Sequence, residues 1–150
     1  MFEHVYPVLF IIGLGGFLIA HINYVYVLIK SGARINPLGR RAWVGGPFIV
    51  LYGVALLSVL WPHLGDLRIP VLLYALVLML KGVAALIRKV KIGFYMVLLG
   101  AILFILSDSM LALNKFVNPI EKSGVLIMST YMFAQLFIVF GLTKKISFPN

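Results

Sequence analysis

Residues Ile92–Phe116 read IGFYMVLLGAILFILSDSMLALNKF, the longest uninterrupted apolar stretch of the chain. A helix of about 20 residues is enough to cross the hydrocarbon core of a bilayer, so this stretch predicts a transmembrane helix. Asp108 is its single acidic residue. A carboxylate at the membrane centre costs roughly 2.5–3.5 kcal/mol, and such a group usually faces a partner, a water-filled cavity or a ligand. Asp108 is therefore the first candidate functional residue.

The composition of the whole chain agrees with a membrane location. Of its 150 residues, 63% are hydrophobic and 11% are charged, and a soluble domain of this length cannot bury so much apolar side chain. The net charge is +9, but the basic residues cluster in short loops between apolar runs. That pattern is typical of a topology signal and does not predict a nucleic-acid partner. The chain has no cysteine, which excludes disulfides and thiolate metal sites.

Five apolar segments predict an all-α integral membrane protein, a bundle of five transmembrane helices in a single domain over residues 1–150. Gly45, Gly46 and Pro47 predict an irregular start to the second span, Pro62 ends it, and Pro70 suits the first turn of the third. The predicted spans are approximately 6–29, 44–61, 69–87, 92–114 and 124–143.

Lysine and arginine in the loops predict the orientation of the bundle. Nine lie on one side: Lys30, Arg34, Arg40, Arg41, Arg88, Lys89, Lys91, Lys144 and Lys145. Three lie on the other: Arg68, Lys115 and Lys122. The positive-inside rule then places the C-terminus in the cytoplasm and the N-terminus outside, with the first span retained. The expected location is the inner membrane of a bacterium, or the endoplasmic reticulum of a eukaryote.

A few polar residues inside the spans are candidates for chemistry. His21 is either a general base or a side chain bonded to a neighbouring backbone or hydroxyl group. Counting residues from the helix ends places it in the inner half of the membrane and Asp108 in the outer half, so we expect a difference in depth between them. Gln135 either bonds two helices together or positions a substrate. Lys81 is expected to extend its ammonium group to the interface.

Three segments resemble one protein family. GAILFILSDSMLALNKFVNP (100–119), followed by STYMFAQLFIVFGL (129–142), resembles the signature of the YhhN-like, lysoplasmalogenase family. GLGGFLIAHINYVYVL (13–28) resembles the helix of that family that carries an Ala-His-x-x-Tyr motif, and PHLGDLRIPVLLYALVLML (62–80) its middle hairpin. The most specific part is the core Ser-Asp-x-x-Leu-Ala-x-x-Lys-Phe.

The resemblance implies a membrane hydrolase that cleaves the vinyl ether bond of lysoplasmalogens to a fatty aldehyde and a glycerophospho-base, without a metal or other cofactor. It assigns Asp108 and His21 to catalysis. It assigns five further residues to substrate binding: Tyr24, Tyr131, Gln135, Ser107 and Lys115. Such an enzyme needs a carboxyl group that keeps its proton near neutral pH, and burial favours the protonated form. The hypothesis is that Asp108 donates this proton to carbon. The expected partners are a lysophospholipid and membrane lipids, with a possible homo-oligomer.

The chain departs from the family pattern in two ways. Family members generally have more spans in a longer chain, and they carry a Gly-Asp acid before the histidine helix that has no counterpart here. We expect either an N-terminally shortened member or a fragment of a longer one. The alternative to an enzyme is a non-catalytic lipid-binding or oligomer-forming module that lacks the second acid. A transporter would normally show a repeat or paired broken helices, and the sequence shows neither.

Overall fold

Five α-helices run through the part of the chain that the computed structural model describes, residues 5–31, 39–88 and 93–143. They are α1 (Val5–Ser31), α2 (Arg40–Leu60), α3 (Arg68–Leu86), α4 (Phe94–Phe116) and α5 (Ser123–Thr143). Two short 3₁₀ turns, Trp61–His63 and Gly65–Leu67, join α2 to α3. Each of the five helices is long and apolar enough to cross a membrane. The protein is therefore an all-α, multi-pass membrane protein, as the sequence predicts.

The helix bounds follow the predicted spans closely, with one clear exception. The second span is expected from about residue 44, whereas α2 begins at Arg40 and continues through Pro47. The Arg41 guanidinium lies 4.3 Å from the centroid of the Phe94 ring, and this contact holds the first turn of α2 against α4. Pro70 lies in the first turn of α3, as predicted, where an N–H group would have no acceptor within the helix.

The closest helix contact joins α4 to α5 and depends on small residues. A Cβ atom added to Gly100 would lie 2.8 Å from the carbonyl oxygen of Ala134. A Cβ atom added to Gly141 would lie 2.9 Å from the backbone nitrogen of Val97. Lipid chains are as apolar as leucine, so helices in a membrane gain mainly from close packing, and glycine permits it. This contact fixes the position of α4, the helix that carries Asp108.

Three clusters of buried apolar residues follow one another along the bundle. The first includes Leu28, Ala85 and Val97. The second is built around Phe104, and Ala112 packs against the third. Asp108 lies one helical turn from Phe104 and one from Ala112, so its carboxyl group lies between the second and third apolar clusters.

Lys81 does not extend to the interface, and that prediction is wrong. Its side chain is 1% exposed, and its Nζ atom lies 3.0 Å from the centroid of the Phe104 ring. Lys81 shares the inward face of α3 with Leu78 and Ala85, which are also buried. A residue on that face points towards α4 and α1, whatever its distance from the helix end.

Candidate active site

The structure brings Asp108 and His21 into direct contact. The Nε2 atom of His21 lies 3.2 Å from Oδ2 of Asp108, and the two residues are 1% and 5% exposed. The difference in depth expected from counting along α1 is therefore wrong. With 27 residues, α1 is longer than a span requires, so its ends are poor markers of depth.

The hydrogen bonds of His21 indicate where a proton is held. Its Nδ1 atom lies 2.6 Å from the carbonyl oxygen of Phe17, which can only accept, so Nδ1 carries a hydrogen. The contact between Nε2 and Oδ2 then needs one more hydrogen, supplied by either the imidazole or the carboxyl group. The Asp108–His21 pair, as we call these two residues, therefore holds one shared proton.

Tyr74 is a functional candidate that the sequence reasoning missed. Its hydroxyl group donates a hydrogen bond to Oδ2 of Asp108 at 2.6 Å, and its ring lies 5.2 Å from that of His21. Tyrosines of membrane proteins favour the interfaces, whereas Tyr74 lies between apolar residues of α3. A tyrosine inside an apolar span is the feature of the sequence that could have identified Tyr74 as a candidate.

A second polar group joins α1 to α5. The hydroxyl group of Tyr24 donates a hydrogen bond to Oε1 of Gln135, and Nε2 of Gln135 donates to the hydroxyl group of Tyr131 at 2.9 Å. The ring of Phe104 lies between this group and the Asp108–His21 pair, 4.8 Å from the ring of His21 and 5.2 Å from that of Tyr131. Gln135 thus bonds two helices together, one of the two roles expected of it.

Ser107 also faces a helix contact. Its hydroxyl group donates a hydrogen bond to the carbonyl oxygen of Ile127 at 3.0 Å, which ties α4 to α5. Neither Ser107 nor the Tyr24–Gln135–Tyr131 group lines the cavity beside Asp108. The five predicted substrate-binding residues therefore divide, with Lys115 on the cavity and the other four in helix contacts.

The cavity beside Asp108 has a volume of about 350 Å³ and lies between α1, α3 and α4. Its lining is Gly13, Leu14, Phe17, Val71, Tyr74, Asp108, Leu111, Ala112, Lys115 and Phe116. Lys115 lies two turns after Asp108, roughly 10 Å along α4. An apolar wall with a carboxyl group at one level and an ammonium group at another suits an amphipathic molecule with an anionic group.

Comparison with known proteins gives the chain a family. The model of the YhhN family matches residues 4–142. Over 135 residues, 88% of the chain, it is 34% identical to a lysoplasmalogenase of Mycobacterium bovis. Over 142 residues, 94% of the chain, it is 33% identical to human lysoplasmalogenase TMEM86B. No solved structure matches the chain significantly.

The matches cover most of this chain but only about half of each relative. The matched segment is 50% of the mycobacterial protein and 57% of the human one, so the chain spans about half the length of these relatives. The family model, in contrast, covers nearly the whole chain, including the helices that bear His21, Tyr74 and Asp108. This chain belongs to the YhhN family.

Proposed function

We propose that this chain is a membrane hydrolase that cleaves the vinyl ether bond of lysoplasmalogens. The relatives named lysoplasmalogenase support the substrate class. The observation that carries the proposal is the Asp108–His21 pair, a buried acid that holds a shared proton and borders a cavity. A vinyl ether needs a proton donor that can reach a carbon atom in an apolar site.

The cavity suits the shape and charge of a lysophospholipid. Leu14, Phe17 and Val71 form an apolar wall for the alkenyl chain. Lys115 is a suitable partner for the phosphate group, since an ammonium group attracts an anion as a compact point charge. The separation of about two helical turns between Lys115 and Asp108 supports a binding pose with the phosphate near Lys115 and the vinyl ether near the carboxyl group.

The first step is protonation of carbon. The shared proton passes from the Asp108–His21 pair to the vinyl carbon that does not bear oxygen. The double bond supplies the electron pair, and the adjacent carbon becomes part of an oxocarbenium ion. Asp108, now a carboxylate, stabilises this cation through its charge, and the hydroxyl group of Tyr74, which donates to Oδ2, stabilises the carboxylate.

Water then completes the reaction. A water molecule adds to the oxocarbenium carbon, and its proton returns to the Asp108–His21 pair as the hemiacetal forms. Collapse of the hemiacetal transfers a proton to the glycerol oxygen and breaks the carbon–oxygen bond, releasing a fatty aldehyde and a glycerophospho-base. His21 takes the role of the second acid–base group, for which the family resemblance implied an additional acid.

The experiment that tests this reaction uses purified protein in vesicles with lysoplasmalogen as the substrate in D₂O. Because the proton is added to carbon, the aldehyde is expected to carry one deuterium on the carbon next to the carbonyl group in the first turnovers. The saturated ether analogue, which has no double bond to protonate, is expected to remain intact. Aldehyde without deuterium, or equal cleavage of both lipids, would contradict the mechanism. Binding of the lipid without any turnover would favour the non-catalytic lipid-binding module instead.

A further inference from the structure

The end of the bundle opposite Lys115 carries a second cleft that the proposed reaction does not use. Its volume is about 540 Å³, and it lies between the first turns of α2, the last turn of α3 and the start of α4. Its lining is Arg40, Arg41, Val44, Gly45, Leu86, Phe94, Tyr95 and Leu98. We call this cavity the basic cleft.

We propose that the basic cleft binds an anionic phospholipid, with the phosphate group at Arg40 and Arg41 and an acyl chain along Val44, Leu86 and Leu98. Two guanidinium groups at one level and apolar side chains at the next match the two parts of such a lipid. Basic pockets between transmembrane helices bind lipid head groups in the same way, with basic side chains near the membrane surface and apolar side chains deeper in the membrane.

One of the two arginines is already held in place. The Arg41 guanidinium lies 4.3 Å from the centroid of the Phe94 ring, and Phe94 itself is buried at 4% exposure. A cation fixed over an aromatic ring loses little side-chain freedom when it binds an anion, which lowers the entropic cost of binding. Arg40 is exposed beside it and is free to complete the contact with the phosphate group.

None of the described residues at this end of the bundle has an acidic side chain. Its four acidic residues are Glu3, Asp66, Asp108 and Glu121. Asp66 and Glu121 lie in the connections at the opposite end, Asp108 bonds to His21 and Tyr74, and Glu3 precedes α1 in the sequence. At a membrane surface, an anionic lipid is a nearby source of the negative charge that would balance these arginines.

A third arginine lies close to the basic cleft in sequence. Arg88 follows the lining residue Leu86 by two positions, is 4% exposed, and its Nε and Nη1 atoms have no hydrogen-bond partner among the described residues. A buried guanidinium without an acceptor is costly, and burial lowers the pKa of Arg88. An anion at this end of the bundle lowers that cost by its charge.

Native mass spectrometry of the purified full chain tests the proposal. The protein is exchanged into detergent that contains equal amounts of phosphatidylglycerol and phosphatidylcholine, and the lipid that remains bound is counted. We expect phosphatidylglycerol to be retained in preference, and the variants Arg40→Gln and Arg41→Gln each to lower its affinity roughly fivefold. Inorganic phosphate at millimolar concentration should not displace the lipid, because it lacks the acyl chain.

Arg68→Gln is the matched control. Arg68 is also a cation over an aromatic ring, 5.4 Å from the centroid of Trp61, but it lies at the opposite end of the bundle. Equal loss of lipid from Arg68→Gln and Arg41→Gln would show an effect of net charge alone and would overturn the proposal. Retention of both lipids in equal amounts, or displacement by inorganic phosphate, would overturn it as well. Arg40 is exposed, so Arg40→Gln tests the basic cleft without disturbing the contact between Arg41 and Phe94.

Discussion

At the scale of single residues, the proposed reaction depends on the shared proton of the Asp108–His21 pair. The contact between Nε2 of His21 and Oδ2 of Asp108 allows the proton to be held by either partner. This arrangement lets the pair act first as an acid and then, after the proton has left, as a base for water. Tyr74 contributes most after the proton has left, because a hydrogen bond to a charged oxygen is stronger than one to a neutral carboxyl group.

Tyr74→Phe is therefore expected to lower kcat more than it raises KM. A hydrogen bond to a charged group contributes about 1.5–3 kcal/mol, so the loss in kcat should be about 10-fold to 100-fold. Steady-state kinetics on lysoplasmalogen in vesicles measures it. Tyr52→Phe is the control, since Tyr52 donates to the hydroxyl group of Ser109 and not to Asp108. If the two variants have the same kcat, the role assigned to Tyr74 is wrong.

At the scale of helices, the sequence predicts the individual helices better than the contacts between them. The number of spans and most of their ends follow from apolar length and from proline, because both are local properties of the chain. Contacts between helices depend on rotation and tilt, which no local pattern records. For this reason the contact of His21 with Asp108, the burial of Lys81 and the hydrogen bond from Tyr74 to Asp108 are visible only in the packed bundle. The family resemblance assigns Asp108 and His21 to catalysis, but it does not predict that the two side chains are in contact.

The contact between α4 and α5 should be sensitive to one added methyl group. Gly100→Ala places a Cβ atom 2.7 Å from Cγ1 of Ile138 and 2.8 Å from the carbonyl oxygen of Ala134, so the helices must move apart. We expect a loss of about 1–3 kcal/mol in stability and a lower midpoint of thermal unfolding in detergent. Gly16→Ala is the control, because a Cβ atom there meets nothing within 4 Å. A midpoint for Gly100→Ala at or above that of Gly16→Ala would contradict the close packing.

At the scale of the whole molecule, the proposed reaction site and the basic cleft lie towards opposite ends of the bundle. The cavity beside Asp108 extends to Lys115 at one end of the bundle, and the basic cleft lies at the other end. The positive-inside rule predicts that the basic end faces the cytoplasm. In that orientation the cavity beside Asp108 lies towards the outer side of the membrane, and the basic cleft meets the anionic lipids of the cytoplasmic leaflet.

Cysteine labelling can test this orientation because the natural sequence has no cysteine. Single substitutions Glu121→Cys and Arg40→Cys introduce a thiol at opposite ends of the bundle. In intact cells a membrane-impermeant maleimide is expected to label the Glu121→Cys protein and to leave the Arg40→Cys protein unlabelled until the membrane is opened. The reverse pattern would place the cavity beside Asp108 on the cytoplasmic side and refute the predicted topology.

The most direct test of the account is the turnover of lysoplasmalogen by Asp108→Asn beside that of Ser109→Ala. Asparagine keeps the size of the side chain and an oxygen that accepts from Tyr74, but its amide protons are too weakly acidic to be transferred to carbon. Because general acid catalysis contributes about 100-fold to 10,000-fold, we expect kcat to fall by that factor. The Ser109→Ala protein should stay near wild type, since the Ser109 hydroxyl bonds to the carbonyl oxygen of Ile105 and the hydroxyl of Tyr52. Turnover by a folded Asp108→Asn protein within a few-fold of wild type would contradict the claim that this buried carboxyl group donates the catalytic proton.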